Sequence, residues 1–384
     1  MSIRFSRSGI RHLGVTVFVA LGCAGPPADN GHDAVTRISA GIEFFEARAA
    51  ADPHDYLSQR QLVRRYGERF AVAATALDLV RAETAAHALL ARSPDRSGAW
   101  GRLSAVLLMQ HRFAEALAAA DSAVALEPAG ADAIGARFDA ALAIGHYRAA
   151  HEALVQLPAR DMATRARWAA WHQLTGHPAA AREAQALTCA GLDHAGAPPL
   201  ARAWCLTELG GLTAESADEA EAVAIFRNAL AVQPGYRGAL EGLADLAHAR
   251  EDWASARELY TRILSDAHPD LYRRLAEVER GLGQMEAATE AEDQFRVLVS
   301  APGQEAMQGP EIVAHLLQAG GHWQDSALAV AEREVARRPT LESWQMLARV
   351  FQIRNDSMAT RRADAMIAGI QLDLARLTAH TPAP

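Results

Sequence analysis

The chain has 384 residues, of which half are hydrophobic and only 6% aromatic, so it can bury a large core without many rings. All 38 basic residues are arginines, and with 46 acids the formal net charge is -8 at pH 7. An acidic chain without long basic runs has no electrostatic reason to collect on nucleic acid, and no nucleic-acid partner is expected. Alanine-rich segments with few aromatic residues favour helices over sheets.

Residues 1–22 have the organisation of an export signal. Three arginines precede the apolar run Leu13–Leu21. Nine helical residues rise about 14 Å, which is less than half of a hydrocarbon layer of about 30 Å. The segment is therefore interpreted as a targeting signal and excluded from fold reasoning.

The end of this segment, Gly22-Cys23, resembles the lipobox of bacterial lipoproteins. The resemblance implies that Cys23 is acylated and becomes the N-terminus. Because Ala24 rather than aspartate follows, it also implies an outer-membrane lipoprotein facing the periplasm. Membrane contact is then expected through the lipid alone, which anchors stably when two or more chains are present. Ala20-Leu21 depart from the lipobox pattern, so a soluble periplasmic or secreted protein stays an alternative.

The strongest internal pattern runs from Ser97 to Pro128. Two helix-like stretches carry apolar and small residues at fixed positions, and a proline ends the second, because it lacks an amide donor and its ring clashes with the preceding turn. The same pattern restarts 34 residues later at Ala131. The positions that define the first unit are Trp100, Leu103, Leu107, Phe113, Ala116, Ala120, Ala123, Leu126 and Pro128. Further units begin near Arg237, Pro269, Met307 and Leu341.

This period and these positions resemble the tetratricopeptide repeat (TPR), a helix–turn–helix unit of 34 residues. The resemblance implies an all-α fold, a right-handed superhelical α-solenoid of stacked helix hairpins. Weaker units fill residues 162–190 and 197–234. The expected organisation is a signal peptide at 1–22, a flexible tether at 23–34, degenerate N-terminal hairpins at 35–96, the TPR array at 97–299, an irregular linker at 300–311, C-terminal units with a capping helix at 312–378, and a tail at 379–384.

The capping helix is expected to present one apolar face to the array, because no further repeat follows to cover it. That face is predicted to consist of Met366, Ile367, Ile370 and Leu374.

TPR arrays are generally interaction scaffolds, and the resemblance implies a groove lined by the first helix of each unit. The carboxylate-clamp subtype is excluded, because it uses lysine and this chain has none. The groove is expected to include Asp132, Asp139, Leu142, Glu241, Asp245, His248, Arg273, Glu277 and Arg280. Asp270, Glu311, His315, Arg349 and Gln352 occupy equivalent positions.

No sequence motif of a phosphate-binding loop, a zinc protease or a serine hydrolase occurs in the part expected to remain, so we predict a non-catalytic protein without metal or cofactor. Four of the fifteen histidines recur in the turns between paired helices, where one-unit spacing separates them too far to share a metal ion. They are His111, His146, His177 and His322.

Cys189 and Cys205 lie near the end of one helix and inside the next. Export would permit a disulfide. However, the two cysteines are expected at different heights along the neighbouring helices, which favours two buried, unbonded residues.

The functional hypothesis is a monomeric, lipid-anchored adaptor for protein or peptide partners in the bacterial envelope. The alternatives are a secreted envelope enzyme or metal carrier that uses the histidines, and a structural scaffold that associates with itself.

Overall fold

The computed structural model describes residues 31–379 except 53, 160, 217, 266, 302, 303, 320 and 322. Over these residues the chain forms nineteen α-helices and no strand. The helices are α1 (Gly31–Ala51), α2 (Tyr56–Ala73), α3 (Ala76–Arg92), α4 (Ser97–Met109), α5 (Phe113–Leu126), α6 (Ala131–Ala143), α7 (Tyr147–Leu154), α8 (Met162–Leu174), α9 (Pro178–His194), α10 (Pro199–Glu215), α11 (Glu219–Val232), α12 (Arg237–Ala249), α13 (Trp253–Ile263), α14 (Asp270–Gly281), α15 (Met285–Val299), α16 (Gln304–Ala319), α17 (Trp323–Arg337), α18 (Leu341–Ile353) and α19 (Ser357–Ala379).

From α2 onward, consecutive helices pack as hairpins, and each hairpin packs on the next, so the described chain is an all-α helical-repeat solenoid. The expected unit starts at Ser97, Ala131, Arg237 and Leu341 are the first residues of helices.

Small residues let the paired helices approach closely. Ala116, Ala120 and Ala123 of α5 are fully buried, and Leu103 and Leu107 of α4 are almost so. Protein interiors are close-packed, and alanine occupies little volume between two helix axes. The low aromatic content of the sequence is therefore compatible with a continuous core along the solenoid.

Several helix starts are fixed by side-chain caps. Asp161, Asp218, Asp252 and Thr340 each accept a hydrogen bond from the backbone N–H three residues later. Such caps satisfy amide donors that have no partner within the helix. These bonds fix the residues at which the helices begin.

The segment 300–311 is not the irregular linker that the sequence predicts, because residues 304–311 are helical. Helix α16 begins at Gln304 and continues through Pro310, with a non-helical backbone at Gln308 (φ -125°, ψ 21°). Proline lacks an amide donor and clashes with the carbonyl four residues earlier, so it bends this helix without ending it.

The expected tether at 23–34 also ends earlier than predicted, since α1 begins at Gly31. Residues 1–30, including Cys23, lie outside the described part.

Distant repeats also contact each other. The Ser265 hydroxyl donates to the carbonyl of Ala74 at 2.7 Å, across 191 residues. The Leu341 N–H donates to the Tyr147 hydroxyl at 2.8 Å, across 194 residues. The guanidinium of Arg338 lies 5.2 Å from the centre of the Phe113 ring. The three contacts join hairpins that are five or six units apart, so the solenoid returns upon itself after five to six repeats.

Candidate partner-binding surface

The predicted groove residues of α6 do not form an open surface. Asp132 is exposed, whereas Asp139 binds Arg167 of α8 through two bonds of 3.0 and 2.8 Å. Leu142 is only 5% exposed and belongs to a hydrophobic cluster. The expectation that Asp139 and Leu142 face a partner is therefore corrected: the first joins two repeats and the second is core.

Helices α12 and α14 bring most of the remaining predicted residues together. We call this set the inner ion-pair network. Its side chains are between 15% and 34% exposed, so they are accessible at the surface but closely surrounded. The network consists of Glu241, Asp245, His248, Asp270, Arg273, Arg274 and Glu277.

Arg273 bridges two acids on its own helix. Its Nε donates to Asp270 Oδ1 at 2.7 Å and its Nη1 to Glu277 Oε1 at 2.5 Å. Glu277 also accepts from Gln318 of α16 at 2.7 Å and lies 3.1 Å from His248 Nε2 of α12. Glu277 therefore links the first helices of three successive repeats.

Arg274 is the cation of the network that sequence reasoning missed. Arg274 forms an ion pair with Asp245 of the neighbouring helix α12, and its Nε donates to Asp270 at 2.5 Å. Glu241, also on α12, lies 4.0 Å from the Arg274 guanidinium. The Tyr260 hydroxyl of α13 donates to the same Asp245 at 2.6 Å. The spacing of Asp270 and Arg274 (i, i+4) could have identified this ion pair. Its contact with α12 depends on how repeats stack.

The electrostatics of the carboxylates differ according to their partners. Burial alone would raise the pKa of Glu277, but the adjacent His248 ring and the charge of Arg273 hold it at about 2. Burial likewise opposes ionisation of Asp270, yet Arg273 and Arg274 keep its pKa below the ordinary value. Burial raises the pKa of Glu241, against the attraction of Arg274. Glu241 therefore ionises less readily than Asp270 and Glu277, whose pKa values are lowered.

A cavity of about 720 Å³ lies beside the network, between α14–α15 and α16–α17. Phe295, Ile312 and Leu316 give it apolar walls, and Glu277 and Arg280 extend it to the network. The predicted groove residue Arg280 is not an isolated cation, because it binds Glu292 of α15. The ring of His315 packs on Phe295, with 4.9 Å between centres.

The remaining equivalent positions belong to α16 and α18. Glu311 is buried, whereas Arg349 and Gln352 are exposed and lie 3.5 Å apart.

The two cysteines form a disulfide between α9 and α10, with 5.5 Å between their Cα atoms. The interpretation as unbonded residues is therefore wrong. Helix α9 continues to His194 and α10 starts at Pro199. Cys189 and Cys205 consequently lie at nearly equal distances from the turn, which places them level in the antiparallel hairpin.

Of the four histidines expected in turns, three lie there: His111 follows α4, and His146 and His177 directly precede α7 and α9. His322 lies outside the described residues. In the described part of the chain, no group of three or more His, Cys, Asp or Glu side chains is placed to hold a metal ion. No helix in that part is both long and apolar enough to cross a membrane.

The fold and the network thus define the class of this protein as an all-α repeat solenoid with a charged surface along the first helices of its repeats. No protein-family model and no curated protein matches the sequence.

The chain is similar to several solved structures at low sequence identity. PilW, a type IV pilus biogenesis factor, is 16% identical with a TM-score of 0.43, over 55% of this chain and 97% of that one. PilF of Pseudomonas aeruginosa is 15% identical with a TM-score of 0.40, over 55% of this chain and 96% of that one. The Cut9–Hcn1 hetero-tetramer of the APC/C includes a chain 13% identical with a TM-score of 0.42, over 83% of this chain and 53% of its own length.

Proposed function

We propose that this protein is a non-catalytic, lipid-anchored scaffold that binds protein or peptide partners in the bacterial cell envelope. The inner ion-pair network is the observation that carries the proposal. Its charged groups lie on successive repeats and are already held by one another, so little side-chain entropy is lost when a partner binds. Such an arrangement gives orientation and specificity to a polar partner.

The envelope part of the proposal is supported by two features of the cysteines. The disulfide between Cys189 and Cys205 is the kind of bond that persists in oxidising compartments such as the periplasm. The segment before Cys23 has the pattern of a lipoprotein signal, and a lipid there would supply the membrane anchor.

The partner surface is tested by crosslinking and affinity capture from native membranes with charge-neutral variants. Glu241→Gln with Glu277→Gln removes two network charges at nearly constant shape, whereas Glu258→Gln on the exposed side of α13 is the matched control. We expect the double variant to lose a specific partner that the wild type and the control retain. Equal capture by all three proteins would refute the network as the binding surface.

The anchor is tested by the Cys23→Ser variant in the same membranes. We expect the wild type to incorporate labelled fatty acid and to fractionate with the outer membrane, and the variant to do neither. A wild-type protein found soluble in the periplasm without label would leave the scaffold role in place and refute the lipid anchor.

A further inference from the structure

The C-terminal helix does more than cap the last repeat. Its second half reaches α7, six hairpins earlier in the chain. Ile370, Leu374 and Leu377 join the hydrophobic cluster of that region, and Leu374 is only 3% exposed. We call these three residues the C-terminal clasp. The predicted apolar face is corrected here, since Met366 is 47% exposed and lies outside it.

The surface beneath the clasp is not completed by its own repeat. Helix α7 has 8 residues, whereas the second helices α5 and α9 have 14 and 17. The buried side chains Leu154, Trp168 and Trp171 belong to the same cluster as Leu374. A distant helix therefore supplies apolar contacts that a second helix of ordinary length provides elsewhere.

The clasp has the pattern of a helix-in-groove ligand. Ile370, Leu374 and Leu377 are spaced i, i+4 and i+7, which places them on one face of a helix. The nearest charges of α19, Asp373 and Arg376, are more than 60% exposed and pair with each other. The contact is thus apolar, and its occupant is recognised by shape and spacing.

We infer that the surface of α7 and α8 under the clasp is a helix-docking site, with α19 as its intramolecular occupant. An amphipathic helix of a partner, with apolar residues at the same i, i+4, i+7 spacing, displaces the clasp and binds there. The packing of α19 on this surface shows that an amphipathic helix with this spacing fits the site. This site extends the scaffold role but lies apart from the inner ion-pair network, so the two can fail separately.

The test uses a fluorescent synthetic peptide with the sequence of residues 366–379 and the full-length chain. In the wild type the tethered clasp fills the site in most molecules. Because only the molecules with a free site can bind, the apparent affinity for the peptide is reduced in proportion to that fraction. We expect the Leu374→Asp variant to bind the peptide at least about tenfold more tightly than the wild type does. The matched control Leu372→Asp alters an exposed leucine of the same helix and is expected to behave as wild type.

A peptide that itself carries Leu374→Asp is expected not to bind, which separates docking from nonspecific adhesion. Hydrogen exchange of α7 and α8 should accelerate in the Leu374→Asp protein and slow again when the wild-type peptide is added. If that protein does not fold, Ile370→Ala with Leu377→Ala weakens the same contact more mildly. Equal peptide binding by wild type, clasp variant and control, or binding by none, would overturn the inference. Adding Glu241→Gln to the Leu374→Asp protein should leave peptide binding unchanged, which would show that the site is independent of the network.

Discussion

The hydroxyl of Tyr147 accepts a hydrogen bond of 2.8 Å from the backbone N–H of Leu341, 194 residues further along the chain. Leu341 is the first residue of α18, where backbone N–H groups have no partner within the helix. A side chain at the start of α7 therefore caps a helix six hairpins away. Gly145 makes this approach possible: it has φ +83°, and a Cβ there would lie 3.0 Å from the carbonyl oxygen of Pro339.

Tyr147→Phe is predicted to weaken this long-range contact without disturbing the ring packing. The Leu341 N–H would be left without its acceptor, which costs about 1–2 kcal/mol for a partly buried donor. Amide exchange at the start of α18 should become roughly five- to thirtyfold faster. Tyr56→Phe, at a tyrosine on α2, is the control and should leave α18 exchange unchanged. An unaltered rate at Leu341 in the Tyr147 variant would show that water replaces the bond without cost.

Loss of the disulfide is predicted to destabilise the α9–α10 hairpin. The bond between Cys189 and Cys205 closes a loop with a sequence separation of 16, for which chain-entropy arguments give about 3 kcal/mol. In a Cys23→Ser background, the oxidised protein should contain no free thiol, and Cys189→Ala with Cys205→Ala should unfold at lower denaturant concentration. Two free thiols in protein purified from the periplasm would contradict the disulfide.

The pair of Asp139 and Arg167 is predicted to matter far more than exposed ion pairs. Both side chains are about 10% exposed, and burial raises the pKa of the Asp139 carboxyl even with Arg167 beside it. Arg167→Met would leave that carboxyl without its cation, which costs about 3–5 kcal/mol. Adding Asp139→Asn should recover part of the loss, because the remaining group is then uncharged.

The control for this prediction is Arg376→Met, which breaks the exposed pair with Asp373. Such pairs contribute less than about 1 kcal/mol. Denaturant unfolding of the four proteins provides the comparison. A similar loss in the Arg167 and Arg376 variants would mean that water reaches Asp139.

The sequence predicted where the helices of this fold begin, because the contacts within one repeat unit recur in every unit. The starts of α4, α6, α12 and α18 follow from the period, since core spacing and the final proline act within one unit. The docking of α19 on α7 could not be predicted from this pattern. It depends on the superhelical pitch, which sums small rotations over many units.

The candidate surface shows the same division. Helix positions predicted that Glu241, Asp245, His248, Arg273 and Glu277 lie along the first helices, and the structure brings them together. The same rule could not show that an equivalent residue, Asp139, binds a cation from the next repeat. Its pairing with Arg167 depends on the close approach of α6 and α8. Residue spacing within one unit does not predict how closely helices of two units approach.

The inner ion-pair network is predicted to lose stability in acid, with Glu277 as one source. Its pKa of about 2 lies below the ordinary value of 4.5, because His248 and Arg273 outweigh the effect of burial. The unfolded chain therefore binds a proton at higher pH than the folded chain does. The stabilisation is fully present above about pH 5 and is lost as the pH falls towards 2, with a total on the order of 3 kcal/mol.

Glu277→Gln tests this sign, because glutamine keeps the shape but does not titrate. The variant should be less stable than the wild type at pH 7, and the difference should shrink steadily between pH 5 and pH 3. Glu258→Gln, at the exposed control position, should follow the wild type throughout. Exchange of the α14 amides at each pH measures the local stability where Glu277 lies. A wild-type to Glu277→Gln difference that grows on acidification would mean that the carboxyl is protonated in the folded chain, contrary to the partners that surround it.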